Sequence, residues 1–195
     1  MLRLKIIIVS MREGRKGPAM ANWIYDEAKK RIEFETEMID LKKINLPFLD
    51  EPEHPRLKHY TRQTTKEWSR IIEASDAFIA VTPEYNYGYP APLKNALDTL
   101  YKEWNNKPFG FVSYGGIAGG TRCMQLIQPV LLALKMAPVL DAVNIPLFTN
   151  QLDARGKFIP NQSQIIAAGK LFDGLVFWGE LLRETRSDNL INIKL

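Results

Sequence analysis

The chain has 195 residues, of which 46% are hydrophobic and 25% charged, with a formal charge of +4. These proportions suit a single water-dissolved domain spanning 1–195 and are those of neither a disordered tail nor a membrane span. One cysteine, Cys123, excludes an internal disulfide and a cysteine-built zinc site, and the small positive charge, without a Lys/Arg block among aromatics, argues against nucleic acid as a partner.

The apolar opening run "LRLKIIIVS" is short, interrupted by charge and without a cleavage pattern, so it reads as a strand rather than a secretion signal, and the protein is expected in the cytoplasm. "PAMANWIYDEAKKRI" carries Met20, Ile24, Ala28 and Ile32 at helical spacing, with Pro18 suited to the first helical position. "FETEMIDL" alternates like a strand. "KKINLPFLDEPEHPRLKHY" is a proline-punctuated connection without helical periodicity, in which His54 and His59 read as solvated.

"TRQTTKEWSRIIEASD" is a helix with Trp68, Ile71 and Ile72 on its apolar side, followed by the strand "AFIAVT". "APLKNALDTLYKEW" places Leu93, Leu97, Leu100 and Trp104 on one helical stripe. "KPFGFVSY" is the fourth strand. "TRCMQLIQPVLLALKM" is helical, with Pro129 expected to kink it or split it, and Cys123 reads as a packing residue. "APVLDAVNIPLF" supplies a fifth strand. "SQIIAAGKLFDGLVFWGELLRETR" is a long last helix whose Gly169, Gly174 and Gly179 suggest close packing. The tail "SDNLINIKL" receives no assignment.

Five strands alternating with helices predict an α/β protein with an open parallel sheet covered on both faces. Ligands of such sheets sit beyond the carboxyl ends of the strands, where the strand order reverses. The loops after the first, third and fourth strands are chemically the richest in the chain. The first, "SMREGRKG", offers Ser10, the forked donors of Arg12 and Arg15, the permissive Gly14 and Gly17, and a helix start. It reads either as an anion cradle, best suited to a phosphate monoester, or as a basic surface turn. It matches neither G-x-x-x-x-G-K-[ST] nor G-x-G-x-x-G.

The second loop, "PEYNYGYPAP", has Pro83 at the strand exit, Glu84, the rings of Tyr85, Tyr87 and Tyr89, and Asn86 and Gly88, which tolerate unusual backbone angles. A planar heterocycle with polar edges suits this wall. The tyrosines serve equally well as packing or interface residues, and Glu84 alone reads as a structural hydrogen-bond acceptor rather than an acid catalyst. The third loop, "SYGGIAGG", brings Gly115, Gly116, Gly119 and Gly120, which let a ligand edge approach main chain. The three loops converge if the strand order is 2-1-3-4-5. A phosphate at one end and a flat ring at the other then describe FMN.

"PEYNYGYPAPLKNALD" resembles the signature of the NADPH-dependent FMN reductases and NAD(P)H quinone reductases, and "SMREGRKGPAMA" and "SYGGIAGGTRCMQLIQPVL" resemble that family's other flavin loops in the same order. The resemblance runs from the first strand to about Phe148. It implies a flavodoxin-like three-layer sandwich with a five-stranded parallel sheet. Ser10, Arg12, Arg15 and Gly17 would lie at the FMN phosphate. Pro83, Glu84, Tyr85 and Asn86 would border the ring, and Tyr87 would approach the phosphate–ribityl end. Ser113, Tyr114, Gly115 and Gly116 would close the other side.

The activity implied is a two-step cycle. Hydride passes from NADPH or NADH to FMN, and then electrons pass to a quinone or similar flat small-molecule acceptor, with no side chain acting as acid, base or nucleophile. A free-flavin reductase and an FMN electron-transfer or redox-sensing module without turnover remain open as alternatives. The resemblance also implies a homodimer or homotetramer. Many relatives have a small residue where this chain has Tyr87 or Tyr89, so two rings could narrow the acceptor's mouth or join a subunit contact.

Overall fold

The computed structural model describes residues 1–187. The tail 188–195, which the sequence leaves unassigned, lies outside them. Six strands, β1 (Leu2–Ile8), β2 (Phe34–Asp40), β3 (Ala77–Pro83), β4 (Pro108–Tyr114), β5 (Ala137–Pro138) and β6 (Val143–Ile145), form one parallel sheet in the order 2-1-3-4-5, with β6 also paired to β4. The helices are α1 (Gly17–Ala28), α2 (Leu41–Ile44), α3 (Gln63–Glu73), α4 (Ala91–Asp98), α5 (Thr121–Ala133) and α6 (Gln162–Ser187).

Burial explains which runs became central strands. β3 and β4 are buried at every position and β1 at all but one, so each is covered on both faces. β2 lies at the edge, and its exposed Glu35 and Glu37 oppose edge-to-edge pairing. On one face the sheet packs against α1 and α6 through residues such as Met20, Ile24, Leu171 and Leu175. On the other it packs against α3, α4 and α5 through Trp68, Leu97, Trp104 and Ile127. The two tryptophans on that face donate their indole N–H groups to Ala96 O (2.9 Å) and Leu97 O (3.1 Å).

Several expectations need correction. The fifth strand is two pieces: β5 pairs with the start of β4 and β6 with its end. The exposed Leu140–Asp141 step interrupts them, and Pro138 has no N–H for a ladder. Pro129 sits inside one α5 and does not split it. α1 ends at Ala28, which leaves Ile32 outside the helix and 87% exposed. α4 ends at Asp98, but Leu100 and Trp104 still reach the core through a short 3₁₀ turn. The proline-rich connection contains the brief α2. Gly174 and Gly179 do permit close packing, since a Cβ would stand 2.7 Å from Val139 and 2.6 Å from Leu2, while Gly169 faces open space. His54 and His59 are exposed and Cys123 is buried, as expected.

At the amino ends of the strands, opposite the three loops, Asp76 gathers both ends of the described chain. Its carboxylate accepts from the Arg3 N–H (3.0 Å) and side chain (3.2 Å), and from Arg186 Nη2 (2.9 Å). Arg186 also donates to Asn106 O at 2.5 Å. Next to this clamp the buried Lys107 donates from Nζ to Ile72 O (2.7 Å) and Glu73 O (3.1 Å), capping the C-terminus of α3.

Burial, and secondarily the charge of Arg186, push the Lys107 ammonium down from 10.5 to about 7. Between these values the unfolded chain binds more protons than the folded one, so folding stability rises with pH across that window. Urea unfolding at pH 6.5 and pH 9 should show wild type gaining up to about 1 kcal/mol per pH unit. Lys107→Met should flatten that rise. An equal rise in the variant would assign it to other groups.

Candidate active site

The carboxyl ends of β1, β3 and β4 open into a cleft of about 300 Å³ where the strand order reverses. Ten of the residues singled out in the sequence line it: Ser10, Arg12, Gly14 and Arg15 from the first loop, Pro83, Glu84 and Tyr85 from the second, and Tyr114, Gly115 and Gly116 from the third. Glu13, Lys16 and Phe148 complete the wall.

The first loop is held by a forked ion pair. Arg15 Nη1 and Nη2 donate to the two carboxylate oxygens of Asp40, at the end of β2, at 2.5 Å each. Nη1 also donates to Ser10 O at 2.7 Å. Hydrogen bonding to Arg15 outweighs burial and holds the Asp40 carboxyl below the usual range, while the same bond raises the Arg15 guanidinium. Arg15 is therefore neutralised where it stands and braces the loop. The cations of this loop without a carboxylate partner among the described residues are Arg12, 6.0 Å over the Tyr85 ring, and Lys16.

Ser10 Oγ is buried beside the Tyr114 hydroxyl, close enough to favour the phenolate, yet no hydrogen bond of normal geometry satisfies it. Burial is the larger effect and raises the Tyr114 pKa. Both hydroxyls close over Gly17, where an added Cβ would overlap Ser10 Oγ and lie 2.9 Å from the Tyr114 oxygen. Gly17 thus serves the cleft from beneath, in the first turn of α1.

In the second loop, Tyr85 and Gly88 exchange backbone hydrogen bonds of 3.0 and 2.9 Å around Asn86 (φ 47°) and Tyr87 (φ 69°). This is the geometry of a two-residue hairpin turn with both central residues left-handed. The unusual angle anticipated at Gly88 falls on Tyr87 instead. Asn86 and Tyr87 are exposed and stand off the cleft wall. Tyr87 does not reach the first loop's end; its ring stacks on the Arg122 guanidinium at 3.9 Å. Arg122 is anchored by Glu84, whose carboxylate accepts from its Nη1 (2.6 Å) and its backbone N–H (3.2 Å) in the first turn of α5. Glu84 is thus a structural acceptor and helix cap.

Ser113 also lies off the cleft. It is fully buried, donates to Gly119 O at 2.8 Å and accepts from Asn144 Nδ2 at 2.7 Å. It shapes the third loop from behind, and the left-handed Gly120 leaves it room. Sequence reasoning missed Phe148, whose ring packs on Tyr114 with centroids 5.1 Å apart. No local pattern marks it. It arrives through long-range bonds from Gly115 N to Ile145 O (3.2 Å) and from Leu147 N to Gly116 O (3.0 Å). Lys16 was visible as a cation at a helix start.

The cleft therefore offers an anion end, formed by Arg12, Lys16, an unsatisfied Ser10 hydroxyl and the start of α1, and a ring-lined end formed by Tyr85, Tyr114, Phe148 and glycine backbone. These residues fit FMN. Gly116 has nothing within 4 Å of its Cβ position, so a ligand edge can approach main chain there.

Comparison with known proteins agrees. The model of the NADPH-dependent FMN reductase family matches residues 2–150. An NAD(P)H-dependent FMN reductase of Schizosaccharomyces pombe is 42% identical over 147 residues, covering 74% of each chain. An NADPH:quinone oxidoreductase of Arabidopsis thaliana is 34% identical over 100 residues, covering 46% of this chain and 48% of that one. Among solved structures, the NAD(P)H:(acceptor) oxidoreductase FerB of Paracoccus denitrificans superposes with a TM-score of 0.73 at 22% identity, over 93% of this chain and 98% of that one.

Asp40→Ala should destabilise the fold by about 2–3 kcal/mol, because it strands the Arg15 charge in a partly buried site. Gly17→Ala should cost about 1–3 kcal/mol by overpacking Ser10 and Tyr114. Denaturant unfolding of both variants checks the two values, and a loss below half a kcal/mol in Asp40→Ala would contradict the brace.

Proposed function

Because this chain belongs to the NADPH-dependent FMN reductase family, we propose that it is an FMN-dependent NAD(P)H oxidoreductase whose acceptor is a quinone or similar flat molecule. The observation that carries the reading is the cleft at the reversal of strand order, with its cations and unsatisfied hydroxyl at one end and its rings and glycines at the other. Bound FMN would supply the ability to take hydride from NAD(P)H and pass two electrons onward in a two-step cycle.

The chain's own residues bind and orient. Arg12 and Lys16 would balance the phosphate charge, Ser10 would donate its hydroxyl hydrogen to a phosphate oxygen, and the first turn of α1 would add its positive dipole end. Arg15, already matched by Asp40, would set the loop's shape rather than lend free charge. Tyr85, Pro83 and Glu84 on one side, and Tyr114, Gly115 and Gly116 on the other, would bracket the ring and exclude water from its edges. Asn86 and Tyr87 would act through the turn that aims Tyr85. No acid, base or nucleophile is assigned to a side chain.

The same reading makes the protein a cytoplasmic homo-oligomer of one FMN-binding domain per chain. An apolar recess lined by Met11, Leu41, Leu46, Phe48, Ala91 and Pro92 lies beside the first loop, with Phe48 79% exposed. Such a patch favours contact with a second copy. Phe48→Glu should lower the mass seen by light scattering to that of one chain. An unchanged oligomer would place the contact elsewhere.

The purified protein should show flavin absorption bands, or acquire them with added FMN. Anaerobic NADPH should bleach them and a quinone should restore them. Arg12→Ala and Lys16→Ala should each weaken FMN binding about tenfold, the loss of one charge-assisted contact. Bands that NAD(P)H leaves unbleached would favour an electron carrier or sensor. Flavin released on each turnover would favour a free-flavin reductase. A protein that takes up no FMN would overturn the reading.

A further inference from the structure

The third loop reaches the cleft at Tyr114, Gly115 and Gly116, and main chain seats it on the end of β6. Gly115 N donates to Ile145 O (3.2 Å), and Gly116 O accepts from Gly119 N (3.1 Å) and Leu147 N (3.0 Å). The loop then folds back on itself. A Cβ at Gly119 would lie 3.0 Å from Pro146 N, one at Gly120 2.6 Å from Ser113 Cβ, and one at Gly115 3.4 Å from Gly120 N. Packing this close leaves no slack, so a displaced Gly119 carries Gly115 and Gly116 with it.

A hydrogen-bond relay holds Gly119 from the sheet side. Ser113 and Asn144 are register partners of the parallel pair β4 and β6. Asn144 Nδ2 donates to Ser113 Oγ (2.7 Å) and to Met124 Sδ on α5 (3.1 Å), and Ser113 Oγ donates to Gly119 O (2.8 Å). Chemistry forces the direction of this relay. A carbonyl and a thioether only accept, and a serine hydroxyl has one hydrogen. Ser113 gives that hydrogen to Gly119 O, so its oxygen must accept. The amide nitrogen of Asn144, rather than its oxygen, must therefore face Ser113 and Met124, and both amide hydrogens are used. Ser113 is fully buried, so bulk water cannot stand in for either partner.

We propose, on the basis of the FMN reading, that Asn144 is a positioning residue for the flavin ring. It directs the single hydroxyl hydrogen of Ser113 onto Gly119 O, and so sets where the main chain of Gly115 and Gly116 meets the ring edge. Asn144 does not itself line the cleft and acts through Ser113 and Gly119. Main-chain dipoles fixed at that edge stabilise the charge that the ring gains on reduction. Their placement therefore weighs on reduced FMN more than on oxidised FMN.

Asn144→Asp keeps the side chain's shape and exchanges a donor for an acceptor. A carboxylate accepts more strongly than a carbonyl, so the Ser113 hydrogen turns to it and Gly119 O loses its donor. Ser113→Ala removes the same bond without adding charge. The test is the midpoint potential of FMN bound to the full chain, with FMN in excess, in wild type, both single variants and the double variant. Each single variant should weaken the binding of reduced FMN about tenfold relative to oxidised FMN, read as a fall of about 30 mV in the two-electron potential. The double variant should match Ser113→Ala, because the hydrogen in question is already gone.

An unchanged potential in Ser113→Ala overturns the proposal, even where urea unfolding shows lost stability, since the relay would then serve the fold alone. A further fall in the double variant also overturns it, by assigning the effect of Asn144→Asp to its charge acting through space. Should Asn144→Asp fail to fold, Asn144→Leu frees the hydroxyl to rotate and should shift the same affinity ratio about threefold. An unchanged ratio there overturns the proposal. A wild type that takes up no FMN would overturn the reductase reading and this role together, whereas FMN-loaded variants identical to wild type would overturn this role alone.

Discussion

The forked bond between Arg15 and Asp40 is the constraint on which the functional end of the molecule depends. It joins the loop after β1 to the last residue of β2, two strands paired side by side, and it does so with both carboxylate oxygens. A planar guanidinium matched to a planar carboxylate admits one orientation, which fixes where the loop can run. The third contact, to Ser10 O, pins the loop at its origin. With these contacts made, Ser10 faces inward, α1 begins at Gly17, and Arg12 and Lys16 are left on the cleft wall.

The opposite wall uses the same device in another form. Glu84 fastens the Arg122 guanidinium, and Arg122 in turn holds the Tyr87 ring. A tyrosine in a left-handed turn position is disfavoured by roughly 1–2 kcal/mol relative to glycine. The stack on Arg122 offsets part of that. Both walls of the cleft are thus set by ion pairs between segments distant in sequence, and a site held that way is ready for its ligand before it arrives.

The central strands, the helices and the three-loop cluster were legible in the sequence because each rests on local signals: continuous apolar runs, helical stripes, and glycine, proline and aromatic residues at strand exits. What was hidden depends on partners far along the chain. Arg15 reads as a free phosphate ligand until Asp40, 25 residues on, is seen to claim it. Ser113 reads as a ring contact until Gly119 and Asn144 take its hydroxyl. Ile32 keeps helical spacing, but α1 has ended four residues earlier. Phe148 carries no pattern that separates a site wall from ordinary core. The division of the fifth strand follows from an exposed leucine that composition alone would bury.

The Asp76 clamp bears on how the fold comes apart. Its carboxylate is engaged by Arg3, in β1, and by Arg186, in the last turn of α6. Peeling that turn away would leave a buried carboxylate with one cation fewer and the carbonyl of Asn106 without its donor. The clamp thus sets a cost on fraying, and this end of the last helix should open together with the sheet it covers rather than ahead of it.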